Sequence, residues 1–189
     1  TAEQVWNLCN EKLATPSMSA RSIIERSHVT LLCTTDDPVD SLEYHMQLAK
    51  DESFPVQVLP AWRPDRAVSI GKPDFPDYIH TLAKASGITI TTFEDLKKAL
   101  SIRMDYFAER GCLVSDHGLP YVMFSPASDS LVEEIFVKRM QGQMVEAQEE
   151  LQYETALLLF LGREYQHRNW VMQLHYGVRR NNNHKMFAR

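Results

Sequence analysis

The sequence predicts an α/β fold in which parallel strands alternate with helices, as in a (β/α)8 barrel. Four short apolar runs rich in β-prone residues are separated by segments with helical periodicity. A polar cluster follows each run, and ligands bind at the carboxyl ends of parallel strands. The alternative is an open doubly wound sheet, but no Gly-rich phosphate-binding fingerprint follows the first run.

The runs and their polar clusters define the predicted elements. Strands are expected at residues 29–33, 56–60, 112–115 and 170–174, followed by TTDDP, WRPD, SDHG and HYGVRRNNN. Asp37 and Pro38 suit the N-cap and first turn of a helix, and Thr92 with Asp95 resembles a capping box. Helices are expected at residues 2–13, 17–26, 39–50, 74–86, 93–110, 128–140 and 146–168. Together these elements are predicted to form a single domain over residues 1–189.

Charge and composition argue against several classes of protein. The 189 residues contain 20 Lys and Arg against 25 Asp and Glu, and this net charge of −5 favours neither a nucleic-acid nor a membrane partner. No apolar run approaches the roughly 18 residues of a membrane span, and no signal peptide opens the chain. The three cysteines are far apart, which fits buried thiols in the cytoplasm better than a disulfide framework.

His175 is the leading candidate for a functional residue, because it comes at the end of an apolar strand. An imidazole there can be a metal ligand, a general base or a hydrogen-bonded structural residue. The loop that follows carries Arg179, Arg180 and three asparagines that begin at Asn181. Two guanidiniums and three amides suit a polar, anionic ligand, and a solvated loop is the alternative.

Two other strand ends carry candidate residues. Arg63 is flanked by Trp and Pro, and a restricted guanidinium can offer two parallel donors to a carboxylate. The alternative is a salt bridge from Arg63 to Asp65 or to another acid of a neighbouring loop. Asp116 can orient the imidazole of His117, although adjacent side chains rarely face each other. The sequence has neither an HxH nor an HExxH motif, so it carries no complete metal site.

Five motifs resemble those of uronate isomerases, also called glucuronate isomerases. They are LLCTTDDPVDSLEYH, VLPAWRPDR, TTFEDLKKAL, SDHG and WVMQLHYGVRRNNN, in this order and spacing, and the resemblance runs along nearly the whole chain. It implies a distorted (β/α)8 barrel of the amidohydrolase superfamily, of which this chain would form about strands 2–5 with extra helices. Because chains of this family are more than twice as long, we expect an internal piece of a longer enzyme that is inactive by itself.

The resemblance also implies roles for individual residues. His175 takes the position of a fifth-strand histidine, which binds metal in much of the superfamily, and Arg63 matches the arginine that holds the sugar acid. The family's HxH pair and last-strand Asp have no counterpart here, so the expected divalent metal, zinc, would have most of its ligands outside this chain. The candidate catalytic residues are His175, Asp116 and His117, and the candidate substrate-binding residues are Arg63, Arg180 and Asn181.

The activity that the resemblance implies is aldose–ketose isomerisation of hexuronates in bacterial hexuronate catabolism. D-glucuronate would be interconverted with D-fructuronate, and D-galacturonate with D-tagaturonate, by proton transfer through a cis-enediol. A hydride shift is the chemical alternative. The alternative function is a non-catalytic module on half a barrel that binds sugar acids or another protein. The expected partner is a small uronic acid. If the protein assembles, we expect a homo-oligomer.

Overall fold

The computed structural model describes residues 1–178 and 182–187. The chain forms two compact units, one of Thr1–Thr34 with Leu42–Leu59 and one of Thr35–Ser41 with Pro60–Arg189. The single domain predicted for residues 1–189 stays a prediction. The helices are α1 (Ala2–Leu13), α2 (Ala20–Arg26), α3 (Glu43–Leu48), α4 (Asp65–Val68), α5 (Phe75–Ser86), α6 (Phe93–Ala108), α7 (Asp129–Met140), α8 (Ala147–His167) and α9 (His184–Phe187). The strands are β1 (Leu31–Cys33), β2 (Gln57–Leu59), β3 (Val114–Leu119) and β4 (Val171–Tyr176).

The first unit contains α1, α2, α3 and a parallel strand pair. Thr1 and Gln4 form a capping box at the start of α1, and Ser19 caps α2 after a short 3₁₀ helix. β1 pairs with β2 in parallel, with Leu31 opposite Gln57. A parallel pair requires a crossover connection, and here that connection includes α3.

The second unit holds a row of parallel chain segments. Asp36 bridges to Trp62, Trp62 bridges to Ser115, and Ser115 on β3 lies opposite Met172 on β4. All three pairings are parallel, so the chain leaves these segments at the same edge of the row. The parallel α/β arrangement is therefore confirmed, and among the described residues Asp36, Trp62, Ser115 and Met172 lie side by side in this row.

Aromatic side chains form much of the core of the second unit. Trp62 is fully buried and meets Phe107 edge to face, with ring centroids 5.0 Å apart. Thr92 and Asp95 form the predicted capping box, which starts α6 so that its apolar face turns inward. Among the described residues, no helix combines the length and the apolar character needed to cross a bilayer.

The predicted helix at residues 39–50 is wrong in its first half. Asp37 caps no helix, because its Oδ1 accepts hydrogen bonds from Val39 N at 3.1 Å and from the Tyr78 hydroxyl at 2.9 Å. Leu42 then adopts a left-handed conformation with φ of 54°, which an α-helix cannot accommodate, so α3 begins only at Glu43. The loop after Asp36 is correspondingly longer than the sequence predicted.

The strands are less buried than their apolar sequences predicted. In β4, Val171 is 66% exposed and Leu174 is 39% exposed, because among the described residues this strand pairs only with β3. The expectation of buried thiols holds for Cys112 but is wrong for Cys9 and Cys33, which are exposed. An apolar run predicts a strand from local propensity, whereas its burial depends on the layers packed against it.

A buried arginine anchors the loop after Asp36. Arg103 on α6 is 6% exposed, and its Nε donates to Pro38 O at 2.6 Å while its Nη2 donates to Asp40 O at 2.8 Å. The guanidinium lies 4.0 Å from the ring centroid of Tyr106. Because the Pro38 carbonyl is buried, the charged side chain supplies the donor that water would otherwise supply.

A second buried arginine anchors the loop between α4 and α5. Arg139 on α7 is 4% exposed, and its Nε donates to Ile70 O at 3.1 Å. Its Nη2 donates to Lys72 O at 2.9 Å and to Pro73 O at 3.1 Å. Arg103 on α6 and Arg139 on α7 thus hold the loops that follow Asp36 and α4.

We predict that Arg103→Met destabilises the fold by about 1–3 kcal/mol, because it leaves the buried carbonyl of Pro38 without a donor. The matched control is Arg163→Met on α8, since Arg163 is exposed and makes no hydrogen bond within the described part of the chain. Urea unfolding of both variants, followed by circular dichroism, measures the difference. Equal losses of stability in the two variants would show that the carbonyl contacts do not hold the loop.

Candidate functional site

The guanidinium of Arg63 contacts side chains from α4, β3 and β4 in the second unit. Its Nε donates to Asp65 Oδ2 at 2.9 Å, and its Nη1 lies 3.5 Å from Asp116 Oδ2. Its Nη2 lies 3.2 Å from His175 Nε2. Arg63 and His175 were predicted to face the same site, and the structure places them in direct contact.

The ring of His175 is held between a carboxylate and a guanidinium. Its Nδ1 lies 2.8 Å from Asp116 Oδ1, which is an ion-pair distance without the alignment of a hydrogen bond. A guanidinium can only donate, so Nε2 must accept from Arg63 and Nδ1 must carry the proton that faces Asp116. Asp116 and Arg63 together favour the tautomer of His175 that carries its proton on Nδ1.

Asp116 and His117 do not act as the predicted carboxylate–imidazole pair. They lie within β3 rather than after it, and successive side chains of a strand point to opposite faces. His117 is fully buried, with its Nε2 3.0 Å from the hydroxyl of Tyr165 on α8. Asp116 instead lies beside His175. The catalytic role of His117 stays a prediction.

Burial keeps His117 neutral. Desolvation lowers its pKa from 6.5 to about 4, although the carboxylates of Asp65 and Asp116 oppose that change. Among the described residues its Nδ1 has no hydrogen-bond partner, and it lies 3.8 Å from Asp65 Oδ1. His117 therefore sits behind the polar cluster as an uncharged side chain at neutral pH.

Asp65 is a site residue for which the sequence suggested no functional role. It appeared there only as a possible salt-bridge partner of Arg63. Its Oδ2 accepts from Arg63 Nε and also from the backbone N–H of Gly118 at 3.1 Å. The hydrogen bond from Arg63 to Asp65 raises the pKa of Arg63, so the guanidinium stays positively charged. The RPD spacing was the available signal, since an Asp two residues after an Arg can reach its Nε.

Gly118 leaves the room that this cluster occupies. A Cβ at this position would lie 2.5 Å from Arg63 Nη2 and 3.1 Å from His175 Nε2. Any side chain would therefore separate Arg63 from His175. The glycine of the SDHG motif is therefore required at the site because it has no side chain.

The described residues do not fit the predicted metal. No three His, Cys, Asp or Glu side chains among them come together as a metal centre. His175 has Asp116 at one ring nitrogen and a guanidinium at the other, and a cation beside Nε2 would be repelled by Arg63. The divalent ion with most of its ligands outside this chain stays a prediction. Arg180 and Asn181 lie outside the described residues, so their predicted contacts also stay predictions.

A cavity of about 570 Å³ adjoins the cluster, and we call it the polar cavity because charged side chains line it beside Leu119, Pro120 and Val178. Its size lies within the range of roughly 300–1,000 Å³ that is usual for small-molecule sites. A separate cavity of about 380 Å³ between α8 and the other face of β4 is apolar and contains none of the polar cluster. The polar cavity is lined by strand-end and helix residues that include Asp65, Ser69, Lys72, Gly118, Glu154 and His175.

Relatives of known sequence agree with the motifs. The uronate isomerase of Lachnospira eligens is 55% identical over 183 residues, which are 97% of this chain and 39% of that protein. The uronate isomerase of Endomicrobium trichonymphae is 53% identical over 187 residues, which are 99% of this chain and 40% of that protein. This chain thus spans about two fifths of the length of the curated relatives that it matches.

Solved structures agree with the fold. The uronate isomerase of Thermotoga maritima superposes with a TM-score of 0.90 at 32% identity, over 100% of this chain and 41% of that one. The glucuronate isomerase of Caulobacter crescentus gives a TM-score of 0.83 at 25% identity, over 94% of this chain and 37% of that one. These matches confirm the predicted fold class, an α/β chain that forms part of a distorted (β/α)8 barrel.

A sequence model of one family covers the full length of the chain. That family is described as glucuronate isomerase, and its match extends over residues 1–189. The motifs, the shared edge of the parallel strands and the Arg63 cluster all lie within the matched residues. The chain belongs to the glucuronate isomerase family.

Proposed function

We propose that this chain forms part of an enzyme that isomerises hexuronates, interconverting D-glucuronate with D-fructuronate and D-galacturonate with D-tagaturonate. The observation that carries the proposal is the contact of Arg63, Asp116 and His175 beside a polar cavity at the edge where parallel strands end. We place the enzyme in the cytoplasm, in bacterial hexuronate catabolism. Its partner is the uronic acid itself, and self-association into a homo-oligomer is compatible with the proposal.

Aldose–ketose isomerisation moves a proton between C2 and C1 through a cis-enediol. It needs a base, an acid and a donor that stabilises negative charge on oxygen. His175 suits the first task, because the carboxylate of Asp116 faces its Nδ1 and would stabilise the imidazolium. Its Nε2 becomes free to take a proton only when the substrate displaces Arg63 Nη2 from it. If the reaction proceeds by a hydride shift instead, His175 would bind the sugar and would not transfer a proton between C2 and C1.

The charge around Arg63 limits how a sugar acid can bind there. Asp65 holds its Nε at 2.9 Å, whereas Asp116 is 3.5 Å from its Nη1. An incoming carboxylate would therefore meet the Nη1 and Nη2 edge, since Asp116 is the weaker competitor. A planar guanidinium suits such two-point binding, which fixes the sugar relative to the reacting carbons.

The alternative is a non-catalytic module that binds sugar acids on half a barrel. The same cavity would serve it, because binding requires the Arg63 edge but no proton transfer at His175. We favour the enzyme, because the cluster fixes a single tautomer of His175, which binding alone does not require. Turnover therefore separates the two functions.

We predict that the complete enzyme interconverts D-glucuronate and D-fructuronate, and that residues 1–189 alone do not. The exposed apolar side chains of β4 favour self-association of the isolated chain. NMR of the sugars measures turnover, and sedimentation measures the state of the chain. A monomeric, cooperatively melting chain of 189 residues that turned over glucuronate would contradict this prediction. Glucuronate binding without turnover by the complete enzyme would favour the binding module.

We predict that Arg63→Ala in the complete enzyme weakens the use of the uronate by about 2–4 kcal/mol, because a charge-assisted bidentate contact is lost. Arg63→Lys should restore only part of it, since an ammonium lacks the planar fork. The measurement is kcat/KM with the uronate and with the corresponding neutral hexose. Arg66→Ala is the control, because Arg66 pairs with Asp74 at the surface. An equal loss on both sugars would rule out carboxylate anchoring by Arg63.

A further inference from the structure

Glu154 brings a carboxyl group without a partner into the polar cavity. It lies in α8, it is half-buried, and it lines the cavity together with Asp65 and His175. Within the described part of the chain, its side chain makes no hydrogen bond and no ion pair. A half-buried carboxyl group in that state lacks compensation for the water that it has lost. A ligand in the cavity would supply the missing contact.

The charged groups around Glu154 favour its neutral form. Glu150, one turn earlier on the same helix face, lines the same cavity, and its carboxylate lies against Gly71. Burial first, and then repulsion by Glu150, raise the pKa of Glu154 from 4.5 to about 7. From the other elements, Asp65 faces the cavity from the start of α4, His175 from β4, and Lys72 from the loop after α4.

We propose that Glu154 contacts the sugar acid in this cavity and accepts the anionic substrate only while its own carboxyl group is protonated. The inference rests on the proposed function and adds a residue that sets the pH dependence of substrate binding. A neutral carboxylic acid donates a hydrogen bond to a sugar oxygen. Once ionised, Glu154 joins Glu150 and Asp65 in an acidic wall that repels the carboxylate of a uronate.

The direction of the pH effect follows from this charge change. As the pH rises through neutrality, Glu154 ionises, the hydrogen-bond donor is lost and a like charge appears beside the substrate. The KM for a uronate should therefore rise with pH while kcat changes less. A Glu154 that only packed in the fold would change stability with pH but would leave the pH dependence of KM unaltered.

The test is the pH profile of KM for D-glucuronate in the complete enzyme and three variants. For the unmodified enzyme we expect KM to rise about tenfold between ~pH 6 and ~pH 8.5, the order of the repulsion between two like charges about 4 Å apart in a water-like dielectric. Glu154→Gln should remove the rise, because the amide keeps a donor and cannot ionise. Glu150→Gln should move the rise to lower pH, since it removes the neighbouring negative charge. Glu134→Gln, an exposed acid of α7, should match the unmodified enzyme.

Two results would overturn the inference. One is a rise in KM that is unchanged in Glu154→Gln, which would assign the titration to another group such as His175. The other is a Glu150→Gln midpoint that does not move. If thermal melts show that Glu154→Gln fails to fold, the Glu150→Gln midpoint decides alone. An unmodified enzyme that does not turn over glucuronate at any pH would instead contradict the proposed function, so the two failures are distinguishable.

Discussion

The contact of one guanidinium with two carboxylates and an imidazole determines the arrangement of the candidate site. Arg63 is the positive centre, Asp65 and Asp116 surround it, and His175 completes the cluster. Arg63 directly follows the bridging residue Trp62, Asp116 lies on β3 and His175 on β4, so their contact requires these parallel segments to run in the same direction and in register. The geometry of the site therefore depends directly on the alignment of the parallel segments.

The helix layer supports this edge through buried arginines. Arg103 and Arg139 donate to backbone carbonyls of the loops that follow Asp36 and α4. A loop that carries functional side chains usually has few apolar contacts, so its position must come from hydrogen bonds. Arginine suits the task, because several donors in a fixed fork can satisfy more than one carbonyl. The same loop that Arg139 anchors places Lys72 at the polar cavity.

The sequence predicted the parallel strands, most of the helices and the placement of Arg63 and His175 on one face, because each depends on local pattern and on the rule that strand ends converge. It did not predict that the two side chains would be in direct contact. Nor did it predict that Asp116 on β3 would face His175 on the neighbouring strand β4. That pairing depends on β3 extending to Leu119, so that the SDHG motif lies within the strand and alternates between faces. The exposure of β4 and the late start of α3 also depended on tertiary context, through a missing layer and a left-handed Leu42.

The central claim is that a uronate binds at the Nη1 and Nη2 edge of Arg63 while Asp65 keeps its Nε. A crystal structure of the complete enzyme with D-glucuronate tests it most directly. The account predicts the sugar carboxylate or an adjacent oxygen within about 3 Å of both terminal nitrogens, with Asp116 still beside His175 Nδ1. A sugar bound elsewhere in the barrel, with the Arg63–His175 contact intact, would contradict the account.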